Sequence, residues 1–248
     1  MKRIVFLLVF GLSLSVSAQE HVKQYGGGIQ PFYSMVRWTS GTAAADSLNQ
    51  RDQPLPGINP QAWFLVEWKR YNSLQLGLQY SMYGFQRREE NVTFGKVYHP
   101  DLPKITDWIQ GDPRHIDFYY RTHYLTIPMI WNRQLTRFRK SLNMHYFFTA
   151  GVSVGVKVFD KTIAKTRGFG FDGRNRFALN NQYKSEPITA NVHLGGRFEY
   201  VVDARYRAHI QPLVNIPLIS NFKGEKAFVP SLGLNLFITL QPEQQKGE

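Results

Sequence analysis

Cysteine is absent from all 248 residues, which excludes a disulfide scaffold, thiolate metal sites, thiol catalysis and the lipid-bearing cysteine of a lipoprotein. Long apolar runs are nearly absent too. Ile4 to Leu14 forms one, but it is shorter than the roughly 20 residues a spanning helix needs. Lys2 and Arg3 precede it, and Val16, Ser17 and Ala18 follow it before Gln19. That arrangement reads as an export signal over residues 1–18, leaving 19–248 as one domain. Acidic residues are scarce, 18 against 30 lysines and arginines, and the formal charge is +12. Two of the basic residues leave with the signal. The remaining excess attracts polyanions. For an exported chain in a Gram-negative envelope these are lipopolysaccharide phosphates, so outer-membrane lipid and lipopolysaccharide are the expected partners and nucleic acid is not.

What the chain does have is a rhythm of two. Leu74, Leu76, Leu78, Tyr80 and Met82 alternate with Gln75, Gly77, Gln79, Ser81 and Tyr83. Successive side chains on a strand point to opposite faces, so this ribbon has one apolar face and one small or polar face. Similar alternation marks Leu125 to Trp131, Tyr146 to Val156, Ile188 to Tyr200, Tyr206 to Ile216 and Phe228 to Ile238. A soluble sandwich needs an apolar core where these strands are polar. The expected fold is therefore all-β: an eight-stranded antiparallel up-and-down transmembrane β-barrel, greasy outside and polar within.

The strands are expected at about 25–38, 61–68, 74–88, 118–132, 146–158, 188–201, 206–216 and 227–240. The links Thr39 to Pro60, Glu89 to Asp117 and Asp160 to Pro187 are long, whereas Lys69 to Ser73 and Val202 to Arg205 are tight and Arg133 to Asn143 is intermediate. Long and short links alternate, as in bacterial barrels with extended outer loops and short periplasmic turns. Both termini then face the periplasm.

Four segments, Gly77 to Arg88 (GLQYSMYGFQRR), Tyr124 to Trp131 (YLTIPMIW), Ala150 to Val158 (AGVSVGVKV) and Gly195 to Tyr200 (GGRFEY), together resemble motifs of the PorT-like outer-membrane β-barrel family of Bacteroidetes. The resemblance implies an eight-stranded barrel of the outer membrane. It also implies a family whose namesake assists type IX secretion, and hence a periplasmic or secretion-complex protein partner. The family pattern has a carboxylate where this chain has Gly77 and Thr126, so no lumen acid is carried over at those positions.

Three groups of residues stand out. Glu67, His145, Arg197, Glu199 and Arg207 fall on lumen-facing positions near the periplasmic end, with Glu199 opposite Arg207 or His209 across the turn at Asp203. A barrel of eight strands has an interior just wide enough for side chains, and charges buried there must pair. A structural salt-bridged plug follows. Lys161, Lys165, Arg167, Arg174, Arg176 and Lys184, interleaved with Phe169, Phe171, Phe177 and Tyr183, form a candidate anion-binding loop. Arg133, Arg137, Arg139 and Lys140 form a basic periplasmic turn, a candidate partner site. Trp38, Trp68, Trp131 and Tyr200 near strand ends suit membrane interfaces. Lipid A chemistry would need a nucleophile with a base in reach, and no serine pairs with the lumen histidines in any motif. The expectation is a non-enzymatic envelope component without metal or cofactor; the alternatives are a type IX secretion assembly factor and a lipid A-modifying enzyme.

Overall fold

The computed structural model describes residues 22–39, 43–68, 71–92, 114–136, 143–167, 175–179, 184–223 and 226–241. The signal segment lies outside them. The elements are β1 (Val22–Ser34), β2 (Arg37–Trp38), α1 (Ala43–Arg51), β3 (Asp52–Trp68), β4 (Asn72–Val92), β5 (Arg114–Gln134), β6 (Met144–Arg167), β7 (Asn175–Leu179), β8 (Ile188–Val201), β9 (Tyr206–Pro217), β10 (Ala227–Phe228) and β11 (Ser231–Leu240). Eight of the strands pair antiparallel in the ring β1-β3-β4-β5-β6-β8-β9-β11, and β11 returns to β1 to close it. Closure leaves no open sheet edge in the ring. The links between β3 and β4, β5 and β6, and β8 and β9 lie at one end, with the start of β1 and the end of β11; the longer links lie at the other.

Side-chain parity runs as the alternation predicts. Leu78, Leu125, Ile127, Val152, Val154, Leu194, Ile210, Val214, Leu232 and Ile238 all face outward and are exposed, while Gln75, Gln79, Thr126, Asn191, His193, Gln211 and Asn235 are buried inside. The facing of β1, ambiguous from sequence, is also settled: Tyr25, Ile29 and Tyr33 point out, Gln24, Gln30 and Ser34 point in. Leu74 to Met82 is nine residues, roughly 30 Å along the strand and about 23 Å once tilted by ~40°, close to the ~25 Å apolar band of outer-membrane barrels.

The lumen is filled in layers. Trp63, Ile130, Leu213 and Phe237 make a buried apolar plate, and the Trp63 ring lies directly over Gly77, where a Cβ would overlap it. Around it run hydrogen-bonded amides: Gln75 with Gln211, Gln211 with Asn235, and Gln30 with Asn59 and Gln79.

Four expectations need correction. The first strand stops at Ser34 and the last begins at Ser231, because Met35 to Trp38 and Ala227 to Pro230 leave the ring; β2 and β10 pair with each other instead. Phe228 therefore is no lipid-facing member of β11. The expected loop 39–60 holds α1 and the first half of β3, which its prolines had disguised. In the Gln61–Gln79 register even positions on β3 face even positions on β4, and Met82 and Gly84 aim their amides toward β3, so Pro56 and Pro60 would aim theirs at β4. Having none, they interrupt the β3–β4 ladder between Pro54 and Gln61, while β1–β3 pairing continues unbroken. Asn59 Oδ1 accepts from the Met82 amide (2.8 Å), Ser34 Oγ from the Gly84 amide (3.2 Å), and the Met82 methyl lies against Gly57 in the slit.

The third correction concerns height: β4, β5 and β6 run to Val92, Arg114 and Arg167, well past the apolar band. On this extension the parity persists but its meaning inverts. Tyr83, Phe85, Phe118, Tyr120 and Tyr124 now form the inner face, a second apolar core covered by Val36, Trp38, Ala45, Leu48, Phe222 and Val229. The fourth is Trp38, expected at an interface. It is buried in that core, stacked on Phe222, and donates from Nε1 to Asp52 Oδ2 (2.7 Å), which Arg87 grips with two hydrogen bonds.

Candidate functional site

The lumen charge cluster assembles at the short-turn end from β3, β8 and β9. Arg207 Nη1 donates to Glu199 Oε1 (2.8 Å) and to Glu67 Oε1 (3.2 Å), and Nη2 to Gln241 (3.0 Å). Arg197, fully buried, has Nη2 3.5 Å from Glu199 Oε2, and its guanidinium lies 3.9 Å above the Phe147 ring. Strand register sets Glu199 opposite His209 and Val201 opposite Arg207. Arg207 reaches Glu199 diagonally. His209 completes the group: its ring stacks on Phe237 at 4.3 Å, and Nε2 hydrogen-bonds Thr239, which donates to Gln24. Gln24 in turn donates to Glu67 (3.0 Å).

Two carboxylates thus face two guanidiniums, which offsets part of the cost of burying the charge. A cavity of about 250 Å³ remains beside it, lined by Glu67, Asn72, Gln134, His145, Glu199 and Arg207 among others. His145 lines this space and stands 3.4 Å from Gln134 rather than in the ion-pair knot. Among the described residues no three His, Asp or Glu stand close enough to hold a metal.

The candidate anion-binding loop is reshaped. Lys161 and Lys165 are exposed on β6, which continues to Arg167, and Arg176 sits on β7 opposite Lys165. Lys184 is exposed ahead of β8. Arg174, Phe169, Phe171 and Tyr183 lie outside the described residues, as do the side chains of Arg167, Arg176 and Phe177. Sequence spacing missed Arg121, which the register puts directly opposite Lys161. It also missed Tyr119, whose ring has Lys165 Nζ at 4.4 Å and the Arg121 guanidinium at 6.0 Å. Partners 40 positions apart give no local signal.

In the basic turn, Arg133 is exposed and donates to Asn72 (3.2 Å). Arg137, Arg139 and Lys140 lie outside the described residues. Trp131 and Tyr200 are exposed on the outer wall at this end, and the side chain of Trp68 is outside the described residues. A serine with a carboxylate in reach does exist: Ser185 Oγ donates to Asp160, and Lys157 Nζ donates to Asp160 (2.9 Å) and to the Ser185 carbonyl (3.0 Å). Ser185 is 1% exposed. A buried serine that donates a hydrogen bond to a lysine-paired carboxylate tethers the link before β8 to β6.

No protein-family model matches the chain, and no curated protein does. Solved structures similar to it include Neisserial surface protein A, at 9% identity over 90% of this chain and 100% of that one, with a TM-score of 0.40. The outer membrane protein OprG from Pseudomonas aeruginosa is similar at 10% identity over 90% and 96%, with a TM-score of 0.38. The attachment invasion locus protein Ail of Yersinia pestis follows at 10% identity over 87% and 98%, with a TM-score of 0.33.

Proposed function

We propose that the chain is a closed outer-membrane barrel, a non-enzymatic component of the cell envelope that holds a rigid binding surface outside the bilayer. One observation carries this: every strand of the ring exposes aliphatic and aromatic side chains outward, while at the level of that belt the inward face is buried and largely polar. An exposed apolar belt encircling a soluble protein would drive aggregation; lipid removes the problem. The packed lumen argues against a water-filled channel, since the Trp63 plate and the Arg207 knot occupy the axis. With the short turns in the periplasm, the tall β4–β6 wall and its capped core stand on the cell surface. The narrower roles, type IX secretion assembly and lipid A modification, gain no supporting observation from the described residues.

The chain has no cysteine, so single cysteines report topology cleanly. Ala178→Cys on β7 reacts with a membrane-impermeant maleimide in intact cells, whereas Asp203→Cys in the β8–β9 turn reacts only after the outer membrane is opened. Equal labelling of both in intact cells, or of neither, contradicts the reading.

A further inference from the structure

The outward face changes character at one level on three neighbouring strands. Register aligns Met82 of β4, His123 of β5 and Phe159 of β6 in a row, and Gly84, Arg121 and Lys161 in the next outward-facing row toward the long-loop end. The lower row closes the apolar belt. Tyr80 hydrogen-bonds His123 at 2.9 Å, and the His123 ring stacks on Phe159 at 4.3 Å. Below it the wall is Leu78, Leu125, Ile127, Val154 and Val156, all exposed. The row above holds two cations side by side and a glycine without a side chain. The row beyond that is Gln86, Tyr119 and Ile163, with Lys165 reaching back over Tyr119.

A guanidinium directly opposite an ammonium suits a phosphate, which accepts a charge-assisted hydrogen bond from each. We propose that Arg121 and Lys161 clamp the phosphate monoester of an amphiphile, the phosphorylated sugar of an outer-leaflet glycolipid, whose acyl chains lie on the apolar wall below. The position supplies the specificity: a soluble phosphate gains only the two cations, whereas an anchored one also gains the belt. Tyr119 offers an aromatic face for the sugar ring immediately above. This site rests on the outer-membrane reading and extends it.

The test uses the purified full mature chain in detergent micelles with diphosphoryl lipid A, read by native mass spectrometry and by the temperature at which the unboiled gel form converts to the boiled form. The wild type retains lipid A and converts at higher temperature in its presence. Arg121→Gln/Lys161→Gln retains about tenfold less or lower still, while Arg205→Gln, in the exposed β8–β9 turn at the opposite end of the barrel, matches the wild type. Inorganic phosphate and dephosphorylated lipid A each give no comparable shift. Equal retention by the double variant overturns the clamp, as does equal binding of dephosphorylated lipid A, and a shift from inorganic phosphate alone that lipid A does not exceed overturns the lipid assignment. The gel form without lipid A reports folding of each variant, and insertion into phosphate-free vesicles tests the membrane reading separately.

Discussion

Phe147 and Arg197, directly opposite on β6 and β8, meet ring to guanidinium at 3.9 Å inside the barrel wall. The contact lets a fully buried cation rest on an aromatic face while Glu199 supplies its countercharge.

Glu199 is therefore the member of the knot whose loss costs most, because Arg197 and Arg207 both lean on it. Glu199→Gln is expected to destabilise the folded barrel by about 3 kcal/mol, read from urea unfolding in lipid vesicles by tryptophan fluorescence. Arg197→Met alone costs less, since Glu199 keeps Arg207. In the double variant the two costs do not add. A Glu199→Gln barrel as stable as the wild type removes the knot from the account of stability.

The β3–β4 slit depends on two lumen side chains. Asn59→Leu strips the Met82 amide of its acceptor at the level of the apolar belt. Hydrogen–deuterium exchange of the segment 79–86 rises, and stability falls by ~1–2 kcal/mol. Unchanged exchange there means the ladder is closed by other means.

A lumen blocked by a four-residue apolar plate passes no sugar-sized solute. Proteoliposomes carrying the wild type swell in arabinose no faster than empty ones. Trp63→Ala/Phe237→Ala removes the two largest members of the plate and raises permeability to small solutes before it abolishes the folded gel form. Fast swelling by the wild type refutes the closed lumen.

Trp38 ties the cap to the wall through Phe222 and Asp52. Trp38→Ala removes ~3–5 kcal/mol of packing from the upper core and one hydrogen bond from Asp52. Trypsin then cuts at Arg51, whose side chain is exposed but whose backbone the folded cap holds between α1 and β3, while the lower barrel still shows its unboiled gel form. Identical digestion of variant and wild type counts against this coupling.

The barrel was legible because period two survives in most ring strands: Leu74 to Met82 on β4 and Ile188 to Tyr200 on β8 announce their faces. The knot was legible from parity, which put Glu67, Arg197, Glu199 and Arg207 inside near one end. The hidden features share a cause. β3 carries Pro54, Pro56 and Pro60 in its first half, so a strand looked like a loop. Tyr83 and Phe85 keep the inward parity of Gln75 and Gln79 with opposite polarity, which reads as noise until the cap is seen above them. Trp38 sits at a strand end, as an interfacial anchor would, and only the fold of α1 and β10 around it shows its burial. Arg121 needed a partner strand to acquire meaning.

The upper aromatic core has a consequence for biogenesis. Strands β4, β5 and β6 carry Tyr83, Phe85, Phe118 and Tyr120 above the apolar belt, and the residues that cover them come from links between other strands. In the outer-membrane setting proposed above, these rings would cross the bilayer bare before Trp38 and Phe222 meet them. Assembly would then be vectorial, with the cylinder inserting first and its roof setting last, so that the finished roof works as a ratchet against slipping back.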